Sequence, residues 1–187
     1  MYRLQFDGLF RSFDRRPNSP GHSGFMCYGW IILCSGTVIA QGHGGYARSR
    51  DATSIAAEYM ALIEGLEALS DMSIGNEHVE VLGDAKSIID QMQGVAAVTS
   101  PRIRVYYRKA RRLANLFPHL EWFWTPRKNN READALTRRA IEQIYTRHDC
   151  DRLANDLMHP QQKAPGRLIP LINLRVHQAT GVSSSTL

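Results

Sequence analysis

No apolar run in this sequence approaches the roughly 20 residues that a membrane-spanning helix needs. Cysteine is scarce. Cys27, Cys34 and Cys150 form no C-x-x-C pair, so a zinc ribbon, a redox dithiol and a disulfide framework all lack their raw material. Cys27 and Cys34, in an apolar stretch, read as small buried hydrophobes of a reducing compartment. The opening residues, MYRLQFDGLF, show no charged start, long apolar stretch and small-residue cleavage site. We therefore expect a cytoplasmic protein with no membrane contact. Acid is missing from two stretches: between Pro101 and Leu120, and throughout 158–187.

What is present is an ordinary globular composition. The chain has 187 residues, 43% hydrophobic and 22% charged, enough for one domain with a sizeable core and a tail. Its net charge of +5 and pI near 9.3 suit a polyanionic partner without requiring one.

Periodicity gives the order of elements. Leu4, Phe6 and Phe10 alternate with polar residues over 2–13, a strand pattern. The Pro- and Gly-rich stretch Asp14–Gly24 is a loop. Phe25–Cys34 and Thr37–Tyr46 flank Ser35-Gly36, which predicts a hairpin. Ile55, Tyr59, Leu62, Ile63, Leu66 and Leu69 recur at helical spacing and predict a helix over 53–69. A strand over 78–82 follows, then helices over 85–93 and 102–117, a strand over 120–124 and a helix over 131–147. Gly94 and Pro118 stop the two middle helices. A leading meander followed by alternating strands and helices predicts an α/β fold: a mixed five-stranded sheet with helices on both faces. We expect a domain over 1–148 and a tail over 149–187, partly disordered or clasping the domain.

Four acids stand where solvated charge is not expected. Asp7 interrupts the first strand, and Glu58 borders the apolar face of the first helix. Asp84 follows the fourth strand, and Asp134 lies in the first turn of the last helix. Singly, Asp84 reads as a helix N-cap, Asp134 as a partner of the helix dipole and Glu58 as an exposed helix residue. Jointly, they fit the strand-end position where such sheets gather ligands. Clustered carboxylates repel one another, and an oxygen-only set suits Mg²⁺ or Mn²⁺ rather than zinc.

Five segments then carry a family likeness in order: FDG at 6–8, NSPGHSG at 18–24, AEYMALIEGLEAL at 57–69, VLGDAKSII at 81–89 and WTPRKNNREADALTRRA at 124–140. Over residues 2–147 the chain resembles a type 1 ribonuclease H. The resemblance implies a ribonuclease H-like fold and hydrolysis of the RNA strand of RNA/DNA hybrids, giving 5′-phosphate and 3′-hydroxyl ends. It implies two Mg²⁺ ions, with Mn²⁺ as substitute, held by Asp7, Glu58, Asp84 and Asp134. In that family pattern Asp7 bridges both ions and Asp134 serves the ion that activates water. Glu58 and Asp84 serve the ion facing the leaving oxygen. Substrate contacts would come from Gly8, Asn18, Ser54 and Asn130. A non-catalytic binding module, or a nuclease for double-stranded RNA or branched DNA, is the alternative reading.

The chain departs from the family pattern in places. Leu9, Ser54-Ile55 and Ala85 replace family residues that touch substrate or flank an acid. The segment TPRKNNREA lacks the histidine that many bacterial members carry there, and we assign none of the seven histidines a catalytic role. The basic handle is also missing. Arg102, Arg104, Arg108, Lys109, Arg111 and Arg112 are expected to replace it, with Arg104, Arg108, Arg111 and Arg112 sharing one helix face toward phosphates. Leu168–Val176 reads as an edge strand or clasp on its own domain, or as a contact to a partner. No protein partner is otherwise implied.

Overall fold

The computed structural model describes residues 1–13, 23–48, 52–147 and 168–177. Its elements are β1 (Tyr2–Ser12), β2 (Gly24–Cys34), β3 (Thr37–Arg48), α1 (Ser54–Asp71), β4 (Val79–Gly83), α2 (Lys86–Gln93), α3 (Pro101–Ala114), β5 (Leu120–Trp124), α4 (Arg131–Arg147) and β6 (Leu168–His177). The strands form one mixed sheet in the order β5-β4-β1-β2-β3-β6. The pairs β1–β2, β2–β3 and β3–β6 are antiparallel, whereas β4 is parallel to both β1 and β5.

Strand alternation sorts the core onto two faces. Met26, Tyr28, Trp30 and Ile32 of β2 point to the face covered by α1, with Leu4 and Phe6 beside them. Phe25 and Cys27 point to the other face, where they meet Ala140, Ile141 and Ile144 of α4. β2 is therefore buried on both sides and reads as a nearly continuous apolar run. α3 packs chiefly on α1, and its buried residues are Ile103, Ala110 and Ala114.

Local chemistry sets the ends. Ser35 and Gly36 both take positive φ, 49° and 84°, as a tight hairpin with the right-handed strand twist requires. Thr53 caps α1 by accepting the Ala56 N–H at 3.1 Å. Gly94 ends α2 in the left-handed region.

The sheet has six strands, one more than the five expected. The sixth is Leu168–His177, which pairs with β3 from Arg48↔Leu168 to Ala40↔His177. It does so by burying Ile172 in the α4-side core and by Arg175, whose guanidinium meets Glu64, Glu67 and Asp71 of α1 at 2.9, 3.3 and 3.0 Å. Glu64 is 5% exposed and also accepts the Tyr46 hydroxyl. Removing its cation would leave a buried charge poorly compensated.

Candidate active site

Sheet register brings the first two acids together. The parallel ladder between β1 and β4 ends at Phe6↔Gly83, so the next residues on the two strands are Asp7 and Asp84. Glu58 arrives from the first turns of α1. Its Oε2 accepts the Gly8 N–H at 3.1 Å. This approach requires glycine, because a Cβ on Gly8 would stand 2.3 Å from the Glu58 nitrogen.

Asp134 arrives from the opposite face. A Cβ on Gly29 would lie 2.5 Å from the Ala133 carbonyl, so α4 rests on bare β2 backbone. Two side chains pin this junction. Asn130 Nδ2 donates to the Phe6 carbonyl at 2.8 Å, and Thr137 Oγ1 donates to the Asp7 carbonyl at 3.0 Å.

One carboxylate oxygen each of Asp7, Glu58 and Asp84 lies within 4.8 Å of the others. Asp134 stands apart from that trio in its partners. Arg127 donates twice to its Oδ1, and Arg138 donates to its Oδ2 at 2.7 Å. Asp7 and Asp134 nevertheless line one cavity, with Leu9, Arg11, Arg127, Thr137 and Arg138.

The charges respond as crowding dictates. Burial pushes Asp7 up to about 6; a hydrogen bond with Thr137 opposes this, and the neighbouring Asp84 and Asp134 add to it. Burial, then Asp7 and Asp84, push Glu58 up to about 9. For Asp134, burial works upward but the hydrogen bonds from Arg127 and Arg138 outweigh it, and its pKa falls below the ordinary value.

A divalent cation fits this donor set. Asp84 Oδ1 is buried without a hydrogen-bond partner among the described residues. An orphaned carboxylate oxygen beside two carboxylates whose pKa values burial and mutual repulsion raise calls for positive charge. The donors are all oxygen, as Mg²⁺ prefers. Asp84 is also not the cap of α2: that position belongs to Ala85, and no side chain makes the capping bond.

A pH dependence follows for the cation-free protein. Asp7 and Glu58 have folded pKa values above their ordinary 3.8 and 4.5. The folded state then holds more protons than the unfolded one, so stability falls as pH rises. The favourable contribution is complete below about pH 4 and is lost progressively as pH passes through about 6 and about 9. Glu58→Gln should therefore raise the melting temperature at pH 8 in chelator and flatten its decline between pH 5 and 9. Thermal melts across that range test this; an unchanged slope would remove Glu58 as its source.

The remaining sequence-derived contacts are placed unevenly. Gly8 lies against α1, and Ser54 is exposed at the first turn of α1. Asn130 is 0% exposed and faces β1 rather than solvent. Asn18 lies outside the described residues. On α3 the expected four-arginine face divides. Arg111 donates to the Met92 carbonyl at the end of α2 and Arg104 to the Val98 carbonyl, while Lys109 pairs with Glu67 at 2.7 Å. Arg108 and Arg112 are exposed beside Val105. Tyr106, Leu113 and Phe117 do turn toward the core. The sequence reading missed Arg127, Thr137 and Arg138. Only Arg138 carried a signal, its i+4 spacing from Asp134.

Comparison with known proteins gives a consistent picture. The model of the reverse transcriptase-like family matches residues 19–140. Ribonuclease HI of Halobacterium salinarum is 33% identical over 125 residues, covering 66% of this chain and 60% of that protein. A bifunctional protein of Mycobacterium tuberculosis is 33% identical over 124 residues, and there the match spans only 32% of the relative's length. Among solved structures, RNase H1 of the halophilic archaeon Halobacterium salinarum superposes with a TM-score of 0.63 at 31% identity, covering 76% of this chain and 98% of that one. LC11-RNase H1, solved in complex with RNA/DNA hybrid, superposes with a TM-score of 0.65 at 27% identity, covering 78% and 99%.

Proposed function

The chain belongs to the reverse transcriptase-like family, and within it to the type 1 ribonucleases H; from that premise we propose that it hydrolyses the RNA strand of RNA/DNA hybrids, leaving 5′-phosphate and 3′-hydroxyl ends. The observation that carries this reading is the convergence of Asp7, Glu58 and Asp84, together with the buried Asp84 Oδ1 that has no hydrogen-bond partner among the described residues. Asp7, Glu58, Asp84 and Asp134 would hold two Mg²⁺ ions, or Mn²⁺ in their place, which when bound supply the positive charge for attack of water on a phosphodiester.

The chain's own groups prepare that site. Asn130 and Thr137 fix the backbone carbonyls of Phe6 and Asp7, and so the main chain on either side of the Asp7 side chain. Glu58, with its pKa near 9, keeps its proton at neutral pH until a cation competes for the oxygens. Arg127 and Arg138 hold Asp134 ionised and in place. Gly8, Asn18 and Ser54 are the proposed substrate contacts. Asn130 acts instead from beneath, through the Phe6 carbonyl.

Residues 1–148 form the catalytic unit in this reading, with 149–187 a tail whose β6 clasps the sheet. We place the protein in the cytoplasm, where Cys27 and Cys34 stay free thiols. Among the described residues no helix is long and apolar enough to cross a membrane.

The test is purified protein with Mg²⁺ against labelled hybrid, double-stranded RNA, double-stranded DNA and a four-way junction. Hybrid should be cut on its RNA strand, and a chelator should stop the reaction. Cleavage in chelator would overturn the mechanism, and preference for another duplex would overturn the substrate.

The exposed part of the α3 stripe yields a second measurement. Replacing Arg108 and Arg112 with Ala should raise KM and leave kcat nearly unchanged, as expected for lost uniform binding. The slope of log affinity against log salt should flatten by up to about 0.9 per lost phosphate contact. Parallel slopes would return this helix face to bulk solvent.

A further inference from the structure

The four acids differ in what holds them. Glu58 accepts the Gly8 N–H, Asp7 is hydrogen-bonded to Thr137, and Asp134 is held by two arginines. Asp84 has no such grip on its buried oxygen. It also sits at a bend, after β4 has ended and before α2 begins. Ladder hydrogen bonds and helical ones both stop short of it. Its orientation must therefore be set through its peptide.

Among the described residues, one side chain is seen to reach that peptide. Trp124, the last residue of β5, donates its indole Nε1–H to the Asp84 carbonyl at 3.0 Å. The neighbouring Thr125 N–H donates to the Gly83 carbonyl at 3.0 Å, so β5 grips both residues of the exit turn. Trp124 is 49% exposed. So large a ring gains little from that degree of burial, and its polar end is the part with a definite partner.

We propose that Trp124 is a positioning residue for Asp84, its indole N–H fixing the peptide that aims the Asp84 carboxylate into the acid cluster. This rests on the divalent-cation reading of the site given above. Groups that orient a ligand residue without touching the cation commonly alter affinity or activity by about 10–100-fold when removed. A single neutral hydrogen bond to a backbone carbonyl belongs at the low end.

Trp124→Phe tests this, because it keeps a ring of similar shape and deletes only the donor. Mg²⁺ affinity of wild type and variant is read by calorimetry without substrate, alongside thermal melts in chelator. We expect the Mg²⁺ dissociation constant to rise about 10-fold and kcat to fall by a similar factor. The KM for hybrid should stay within about twofold, since the ring is retained. Because Trp124 adjoins Asp84, Mg²⁺ should also change the tryptophan emission of wild type, and this response should be lost in the variant. The melting temperature should fall by no more than about 3 °C, as for a change at a partly exposed strand end.

Equal Mg²⁺ affinity and equal kcat in Trp124→Phe overturn the proposal. So does a raised KM with unchanged Mg²⁺ affinity, which would make the ring a substrate contact. If wild type itself binds no divalent cation, the metal-dependent reading and this proposal fall together. If wild type binds Mg²⁺ and the variant binds it equally, only the role of Trp124 falls.

Discussion

Asp84→Asn should reduce hybrid cleavage by more than about 100-fold while the protein stays folded. The substitution keeps the shape of the side chain and removes one of three carboxylates that each place an oxygen within 4.8 Å of the others. A two-cation site depends on that charge, and an amide oxygen is a poor replacement for a carboxylate toward Mg²⁺. Without cation the change should help folding. Asp84 contributes to raising both Asp7 and Glu58, so its neutralisation relieves repulsion in the cluster. The melting temperature in chelator should equal or exceed that of wild type, and the stabilisation by Mg²⁺ should shrink. Activity above a few per cent of wild type would sink the assignment of Asp84. A loss of activity that accompanies a lower melting temperature would instead point to a structural role.

The second large effect is expected at Gly8, through backbone packing. In Gly8→Ala the new methyl would meet the Glu58 nitrogen at 2.3 Å and the Ala57 carbonyl carbon at 2.4 Å. These are main-chain atoms of a buried helix, so no flexible side chain can yield. Overpacking costs about 1–3 kcal/mol, and a clash with rigid backbone belongs at or above the top of that range. For a domain of this size, about 3 kcal/mol corresponds to a fall of roughly 6–12 °C in melting temperature. The helix must lift, carrying Glu58 away from Asp7, so Mg²⁺ affinity should fall with stability. Gly36→Ala is the control. Its site is open, with nothing within 4 Å of the added carbon, and only its φ of 84° resists. That costs about 1 kcal/mol. A Gly8→Ala protein that melts like wild type would mean that α1 does not rest on β1 as described.

Most of the architecture was legible because its signals are local. Leu4, Phe6 and the apolar β2 announce strands, and the spacing from Tyr59 to Leu69 announces a buried helix. Asp7 was conspicuous because a strand flanked by Phe6 has no local use for a carboxylate. Residue-level roles were less legible, because they depend on distant contacts. Arg111 looks like any basic residue of α3 until the end of α2 is seen beneath it. Asn130 looks like a loop residue able to touch substrate until it is found fully buried against Phe6. Trp124 gave no sign that its indole would reach across to Asp84. Glu64 did carry a signal that went unread. It is an acid between Ile63 and Leu66 on an apolar helix face, and so placed it demands a buried cation from elsewhere in the chain. Arg175 supplies it, and with it the sixth strand.

That strand also bears on the order in which the protein assembles. The ladder joining residues 40–48 to 168–177 has the greatest sequence separation of any in the described sheet. Loop-closure entropy grows only as about (3/2)RT ln n, so the equilibrium tolerates such a connection. Folding rate is less forgiving, since distant pairings form after local ones. The β1–β2–β3 meander can nucleate early from its own hairpins, whereas the outer edge of β3 waits for the chain to return. Until it does, Glu64 lacks its guanidinium and β3 presents an open row of peptide groups to any other extended chain. The slowest step in reaching the native state is thus expected at the edge of the sheet farthest from β5, and a nascent or partly unfolded molecule is most exposed to mispairing there.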